Sequence, residues 1–288
     1  MARMGKYSLS INWGGIVMGL DFLLEPLQYS FIVRALIVSV LVGVMCPFLG
    51  AFVINREMGF MGDALAHSVL PGMVIAYGAG VSPFLGAIPN AILVALGIGY
   101  IVKKTRVSND TSIGIVYSAL FSIGLITLAL LDGTSVDLED ILLGQVLSTS
   151  ASDVYVTIAL TGGLLIIMGL LYKPMVFVGF DFDGSTVAGI PSAKLDYLLL
   201  VLLSVVVVMS LQVVGIVLVI GMLITPAAAA GMIAKRFPKV IILGIVFGVI
   251  SAVTGLYISY YFNLPSGPAI ALVSTGIFGL SLIKNWRL

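Results

Sequence analysis

Nine apolar stretches divide this chain, and each is long enough to cross the hydrocarbon core of a bilayer as an α-helix, which takes about 20 residues. Hydrophobic residues make up 60% of the chain, charged residues make up 9%, and the mean hydropathy is +1.20. A water-soluble fold would need more polar residues to face solvent. The sequence therefore predicts an all-α integral membrane protein, a polytopic bundle with spans at approximately 31–54, 58–79, 83–102, 111–131, 153–172, 195–214, 215–233, 240–262 and 268–283.

The number of spanning helices depends on two ambiguous segments. The sixth and seventh stretches run together for 39 residues, which is too long for one crossing, and we separate them near Ser210 and Gln212. The count becomes eight if one stretch is broken or re-entrant. Residues 1–30 are predicted to form an N-terminal tail with an interfacial helix at about 11–29, and residues 31–288 the transmembrane domain.

Basic residues orient the predicted bundle. Eleven of the fourteen Lys and Arg residues fall on one face if the spans alternate in direction, and this bias places that face in the cytoplasm. The net charge of +1 offers no basic surface for nucleic acid, so the lipid bilayer is the expected environment and nucleic acid is not an expected partner. One cytoplasmic connection, at about 173–194, is unusually long among tight turns. We expect that connection to cover or to bind another structure.

The opposite face carries an acidic loop. Its carboxylates either raise the local cation concentration at an outer mouth or simply form a solvated surface. The acids concerned are Asp132, Asp137, Glu139, Asp140 and Asp153.

The segment GDALAHSVLPG contains the only histidine of the chain, His67, and an aspartate four positions before it, Asp63. Residues at i and i+4 share one face of a helix, and a carboxylate inside a membrane costs about 3 kcal/mol on insertion scales. The pair is interpreted in three ways: a cation site, an internal pair that satisfies itself inside the bundle, or a proton relay. Carboxylate oxygen and imidazole nitrogen suit Mn²⁺, Fe²⁺ or Zn²⁺. Pro71 predicts a kink beside the pair.

One chain offers only these two ligands, whereas such ions take four to six, so a metal site here predicts a homodimer. Other chemistry is excluded by absent motifs. The chain has no G-x-x-x-x-G-K-[ST] phosphate loop, and a single histidine cannot form the H-E-x-x-H zinc motif. Cys46 has no partner for a disulfide within the chain. No further catalytic groups converge at the depth of Asp63, so we expect a non-catalytic membrane protein.

These residues resemble the membrane permease subunit of the manganese/zinc/iron ABC importers, the ABC-3 family. The resemblance rests on GDALAHSVLPG, its lead-in INREMGFMGDAL, SIGIVYS, GFDFDGSTVAGIP, MLITPAAAA and NLPSGPAI, in that order along the chain. It covers the chain from about residue 30 onward. The implied fold is a type II ABC-importer-like permease in the bacterial plasma (inner) membrane, with a transmembrane permease domain at 31–288.

The resemblance also implies partners and roles. The importer works as two permease copies and two separate ATP-binding cassette subunits, which hydrolyse ATP, and an extracytoplasmic protein delivers the metal. Asp63 and His67 match the intramembrane metal residues. The form H-x-V-L-P-G favours manganese as the transported ion, with iron and zinc as alternatives and no permanently bound cofactor. Residues matching the segment that couples to the ATPase are Phe180, Asp181, Phe182, Asp183, Gly189, Ile190 and Pro191.

Two expectations remain open after the sequence is read. Gly184, Ser185 and Thr186 stand where the family has stronger helix formers, which predicts a weak local helix in the coupling segment. The main alternative function is a proton-coupled secondary transporter of divalent metals that uses Asp63 and His67 as its relay. A partner ATPase would distinguish the two functions.

Overall fold

The computed structural model describes residues 24–105, 107–130 and 149–286. A 3₁₀ turn at Pro26–Gln28 leads into the first of twelve α-helices found in these ranges. The helices are α1 Ser30–Asn55, α2 Met61–Ser68, α3 Leu70–Gly78, α4 Pro83–Lys104, α5 Asn109–Leu130, α6 Ala151–Leu170, α7 Tyr172–Phe180, α8 Phe182–Val187, α9 Ser192–Val214, α10 Ile216–Ile233, α11 Phe237–Phe262 and α12 Ser266–Trp286.

Eight of the helices in the described ranges are long and apolar enough to cross a membrane: α1, α4, α5, α6, α9, α10, α11 and α12. The remaining predicted stretch, 58–79, forms the two short helices α2 and α3 instead. The prediction of eight to nine spans, with eight when one segment is broken, is confirmed. The predicted interfacial helix at 11–29 lies mostly outside the described residues.

The predicted spans 195–214 and 215–233 meet where the structure ends α9 and begins α10. α9 ends and α10 begins at Gly215, which has a φ of +82°. Glycine adopts this left-handed conformation without the steric penalty of a Cβ, so it can end one helix and begin the next within a single residue. Ser210 and Gln212, where we expected the break, lie inside α9.

Helix α1 is the centre of the packing and the most deeply buried of the eight spanning helices described. It contacts α6, α10 and α11, and α10, α11 and α12 also pack on one another. A second group is formed by α2, α3, α4 and α5, and α9 joins the two groups because it contacts α1, α2 and α4. The core between them is apolar, with Met45, Leu49, Phe52, Leu203 and Leu223 fully or almost fully buried.

Long-range contacts bring several connections to one end of the bundle. The side chain of Asn55 donates to the carbonyl of Gly179, Asn109 donates to the carbonyl of Arg56, and both Arg56 and Lys103 contact Asp196. The ends of α1, α4 and α7 and the beginnings of α5 and α9 therefore lie together. This is the end to which the positive-inside rule assigns the cytoplasm.

Candidate functional site

Asp63 and His67 lie on the short helix α2, one turn apart. Oδ1 of Asp63 is 3.3 Å from Nε2 of His67, as the i, i+4 spacing predicted. The Asp63 side chain keeps 37% of its surface exposed, and the His67 side chain keeps 23%. The pair is therefore not enclosed by its own chain, and its two donor atoms can reach a ligand that approaches from outside the chain.

Helix α5 holds the imidazole in place. The ring centroid of His67 lies 5.7 Å from that of Tyr117 and 5.5 Å from that of Phe121, the latter in an edge-to-face arrangement. Tyr117 and Phe121 stack on each other with centroids 5.9 Å apart. Two aromatic rings thus restrict the rotation of His67 and leave the side that faces Asp63 free for a ligand.

The helix breaks immediately after the pair, which confirms the kink predicted from Pro71. α2 ends at Ser68, Val69 joins the helices, and Pro71 stands in the first turn of α3, where its missing N–H costs no hydrogen bond. Nδ2 of Asn90 on α4 donates to the carbonyl oxygen of Ser68 at 2.7 Å. Asn90 therefore satisfies a carbonyl that the broken helix leaves without a helical partner.

Asp63 and His67 are not joined by a third side chain of a metal-binding type in the part of the chain that the structure describes. Among residues 24–105, 107–130 and 149–286, no group of three or more His, Cys, Asp or Glu side chains is placed to hold a metal ion. Cys46, the one thiol, is fully buried in α1. Two donors are fewer than a divalent first-row ion takes, so any such site is incomplete in one chain.

The segment predicted to couple to the ATPase, residues 180–191, contains the short helix α8. Phe180 ends α7, Phe182 and Asp183 begin α8, and Asp181 caps α8 because its Oδ1 accepts from the backbone N–H of Gly184 at 2.8 Å. The weak propensity of residues 184–186 stays a prediction about stability, and the capping aspartate is a feature that offsets poor intrinsic propensity. The chain then turns through Gly189, Ile190 and Pro191 into α9.

The coupling segment presents an exposed apolar surface at its end of the bundle. Val187 is 90% exposed, Phe180 61% and Phe182 39%. Behind this surface α8 is anchored to α9, because the buried hydroxyl oxygens of Ser185 and Ser192 lie 2.7 Å apart. A short helix whose apolar side chains are exposed in this way is typical of a surface that binds another protein.

Asp196, near the beginning of α9, is a charged centre that the sequence did not single out. Its carboxylate pairs with Arg56 and, at 2.8 Å, with Nζ of Lys103. Burial lowers the pKa of the Arg56 guanidinium, and the adjacent Asp196 carboxylate opposes that shift. A cavity of about 420 Å³ adjoins this cluster and is also lined by Asn109 and Phe182. In the sequence, Arg56 and Lys103 contributed only to the charge bias that orients the bundle. No motif or spacing linked them to Asp196.

Of the acidic outer residues, Asp153 has a structural partner. Its Oδ2 accepts from the backbone N–H of Ser150 at 2.9 Å, and its own N–H donates to the Ser150 hydroxyl, which forms a capping box at the start of α6. Asp132, Asp137, Glu139 and Asp140 lie outside the described residues.

Comparisons with known proteins agree on one family. The model of the ABC 3 transport family matches residues 28–285. The manganese transport system membrane protein MntC of Halalkalibacterium halodurans is 44% identical, over 91% of this chain and 93% of the relative. The chelated iron transport system membrane protein YfeD of Yersinia pestis is 35% identical, over 91% and 88%. The structure of PsaBC from Streptococcus pneumoniae in complex with Fab superposes with a TM-score of 0.79 at 35% identity, over 92% of this chain and 95% of that chain.

Proposed function

The chain belongs to the ABC 3 transport family, as a multi-pass membrane permease of bacterial metal importers, and from this premise we propose that it carries manganese through a site shared by two copies of itself. Two ATP-binding cassette subunits supply the energy, and an extracytoplasmic protein delivers the ion. The permease itself catalyses no reaction. Iron and zinc are the competing cargoes.

The observation that carries the proposal is the geometry of Asp63 and His67. An oxygen and a nitrogen donor stand 3.3 Å apart on one helical turn, and both remain partly exposed. They lie on α2, which packs against the transmembrane helices α5 and α9. Because one chain contributes two donors, a second copy placed about a two-fold axis raises the number to four, the lower limit for these ions.

The surface around the pair supports a second copy as the partner. Helix α5 packs on α2, α3 and α4, and little of it is buried by its own chain. Its outward side carries Gly114, Ser118 and Ser122 at intervals of four residues, and all three are exposed. The Ser122 hydroxyl donates to the carbonyl of Ser118 within the helix. Small residues in one stripe permit the close approach of another membrane helix.

Manganese is favoured by the donor set together with the relatives. Carboxylate and imidazole ligands accept Mn²⁺, Fe²⁺ and Zn²⁺, and a site with no thiolate lacks the ligand that would select zinc most strongly. A relative named as a manganese transport protein is 44% identical, whereas one named for chelated iron is 35% identical. The pair alone does not separate the three ions, so the experiment compares them directly.

Coupling to ATP is assigned to the segment Phe180–Pro191. Its exposed apolar residues, the cap by Asp181 and the tie between Ser185 and Ser192 make α8 a rigid element that can dock in a groove of an ATPase subunit. Movement of α8 then passes to the helices that hold Asp63 and His67. The acids of the outer face would concentrate cations near the entrance.

The test is metal uptake by vesicles that contain the permease, its ATPase and its binding protein. We expect ATP-dependent uptake of Mn²⁺ that Fe²⁺ or Zn²⁺ competes for only weakly, and we expect Asp63→Asn and His67→Ala to abolish it while the complex still assembles. Asp110→Asn is the matched control, because Asp110 is an exposed acid in the first turn of α5. Normal uptake by the His67→Ala variant would refute the site. Uptake that follows a proton gradient without ATP would make the protein a secondary transporter.

A further inference from the structure

Asp196 joins three helices through one carboxylate. Arg56, which directly follows α1, contacts Oδ1, and Nζ of Lys103, in the last turn of α4, lies 2.8 Å from Oδ2. Asp196 itself is the fifth residue of α9. The exposed fractions of the side chains are 9% for Arg56, 19% for Asp196 and 27% for Lys103. The Arg56–Asp196 pair is thus largely withdrawn from water, and dissolved salt screens a partly buried charge pair less than an exposed one.

Arg56 depends on Asp196 for its neutralisation. Nε and Nη2 of its guanidinium are buried and have no hydrogen-bond partner among the described residues, so the contact of Nη1 with Asp196 is its one ion pair there. Removal of one member of a buried pair leaves the other charge uncompensated. The position of Arg56 is therefore sensitive to the carboxylate of Asp196.

The same cluster reaches the coupling segment. Nζ of Lys103 lies 5.6 Å from the ring centroid of Phe182, the first residue of α8, and 3.9 Å from that of Tyr197. Nδ2 of Asn55 donates to the carbonyl of Gly179 at 2.9 Å, three residues before α8 begins at Phe182. A displacement of α8 therefore acts directly on Lys103 and on the end of α1.

On its other side the cluster borders the connection to the Asp63 helix. Glu57 follows Arg56 with a φ of +55°, a left-handed conformation that is uncommon for a residue with a Cβ. The N–H of Met58 donates to the carbonyl of Val53, so α1 ends in a tight helix-terminating turn that leads into α2. The carbonyl of Arg56 is held by Asn109 at 2.8 Å. The connection is therefore tied to α1 through Met58 and to α5 through Asn109, so a displacement of Arg56 is passed along it toward α2.

We propose that Asp196 is a positioning residue for transport, which couples movement of α8 to the connection 56–60 and so to the helix that carries Asp63 and His67. This inference rests on the proposed function, because it assigns the route between the ATPase docking element and the metal pair. Asp196 touches neither ATP nor metal. Its loss should lower the maximal rate of uptake without changing the affinity of the Asp63–His67 pair for Mn²⁺.

The test compares Asp196→Asn and Asp196→Glu in vesicles that hold the complete transporter. For Asp196→Asn we expect a fall of at least about tenfold in maximal Mn²⁺ uptake, an unchanged concentration for half-maximal uptake, and continued ATP hydrolysis. Fewer ions are then carried for each ATP consumed. Asp196→Glu keeps the charge and should retain most of the uptake. Equal uptake by Asp196→Asn and the parent would overturn the proposal, and so would a parallel loss of Mn²⁺ affinity and ATP hydrolysis.

A second pair of variants decides the matter if Asp196→Asn does not assemble. Lys103→Met leaves Arg56 and Asp196 paired but removes the cation that faces Phe182, and it should also lower uptake per ATP. Lys104→Met is its matched control, because Lys104 is exposed and contacts the ring of Tyr100 at 5.7 Å without an ion pair in the described part of the chain. Identical behaviour of the two Lys variants would overturn the proposal. Failure of the proposed function has a different signature, because the parent itself would then not import Mn²⁺ with ATP.

Discussion

Gly72 of α3 and Gly86 of α4 bring the backbones of two helices into direct contact. A Cβ added to Gly72 would collide with the carbonyl oxygen of Gly86, and one added to Gly86 would collide with the carbonyl oxygen of Gly72. α3 follows the Asp63–His67 pair after the break at Val69, and Asn90 on α4 binds the end of α2. The contact between the two glycines therefore fixes the outer half of the broken helix against α4.

Replacement of Gly86 by Ala should destabilise the protein by about 1–3 kcal/mol, because the extra methyl forces the two backbones apart. The measurement is thermal unfolding of the purified permease in detergent. Gly97→Ala on the same helix is the control, since a Cβ there meets nothing within 4 Å and Ala favours a helix over Gly. If both variants unfold at the same temperature, the close contact does not contribute to stability.

The stoichiometry of metal binding should be one Mn²⁺ for two chains. This follows because Asp63 and His67 of one chain offer only two donors, and a shared axis completes the set. Equilibrium dialysis followed by elemental analysis of the purified permease gives the ratio, and His67→Ala should lower the affinity at least about tenfold. A ratio of one ion for each chain with unchanged oligomeric state would contradict a shared site.

Loss of the Asn90 side chain should weaken the broken helix. Asn90→Ala leaves the carbonyl of Ser68 without its donor at 2.7 Å, which costs about 1–3 kcal/mol for a polar group withdrawn from water. We expect a lower unfolding temperature and slower Mn²⁺ uptake, because the orientation of His67 depends on where α2 ends. Thr127→Ala provides the comparison, since its hydroxyl donates only within its own helix, to Ile123. An Asn90→Ala protein as stable and as active as Thr127→Ala would contradict this role.

The cap at Asp181 should determine whether α8 is formed. Asp181→Ala removes the acceptor for the N–H of Gly184 and should destabilise the helix by about 0.5–2 kcal/mol, whereas Asp181→Asn keeps a capping side chain. Hydrogen exchange over 182–188 measures the helix, and co-purification with the ATPase measures docking. Faster exchange and weaker association are expected for the Ala variant only. Equal exchange in all three proteins would mean that tertiary contacts, such as that between Ser185 and Ser192, hold α8 without the cap.

Much of the architecture could be predicted from local patterns. Apolar length identified the spanning helices, since any helix exposed to lipid must satisfy its backbone internally and cover about 20 residues. The spacing of Asp63 and His67 placed them on one helical face, and Pro71 located the break in their helix. These features depend only on residues within a few turns of one another, so the order of residues suffices to read them.

Other features could not be derived in this way. The role of Gly215 between α9 and α10 was not identified, because an apolar run carries no periodic signal for a break, and a single positive φ decides it. The cap of α8 was not identified, because helix propensity does not include the bond from the N–H of Gly184 to Asp181.

The sequence by itself determined the membrane class, the spans, the family and the pairing of Asp63 with His67 on one helical face, because each rests on composition, helical periodicity or a contiguous motif. The tertiary structure alone decided which distant residues meet. Arg56 and Lys103 are separated from Asp196 by 140 and 93 positions, yet one carboxylate joins them, and Tyr117 and Phe121 from another helix hold His67. Helix packing sets these contacts, and in a bundle of nearly uniform apolar helices many pairings satisfy the same local pattern.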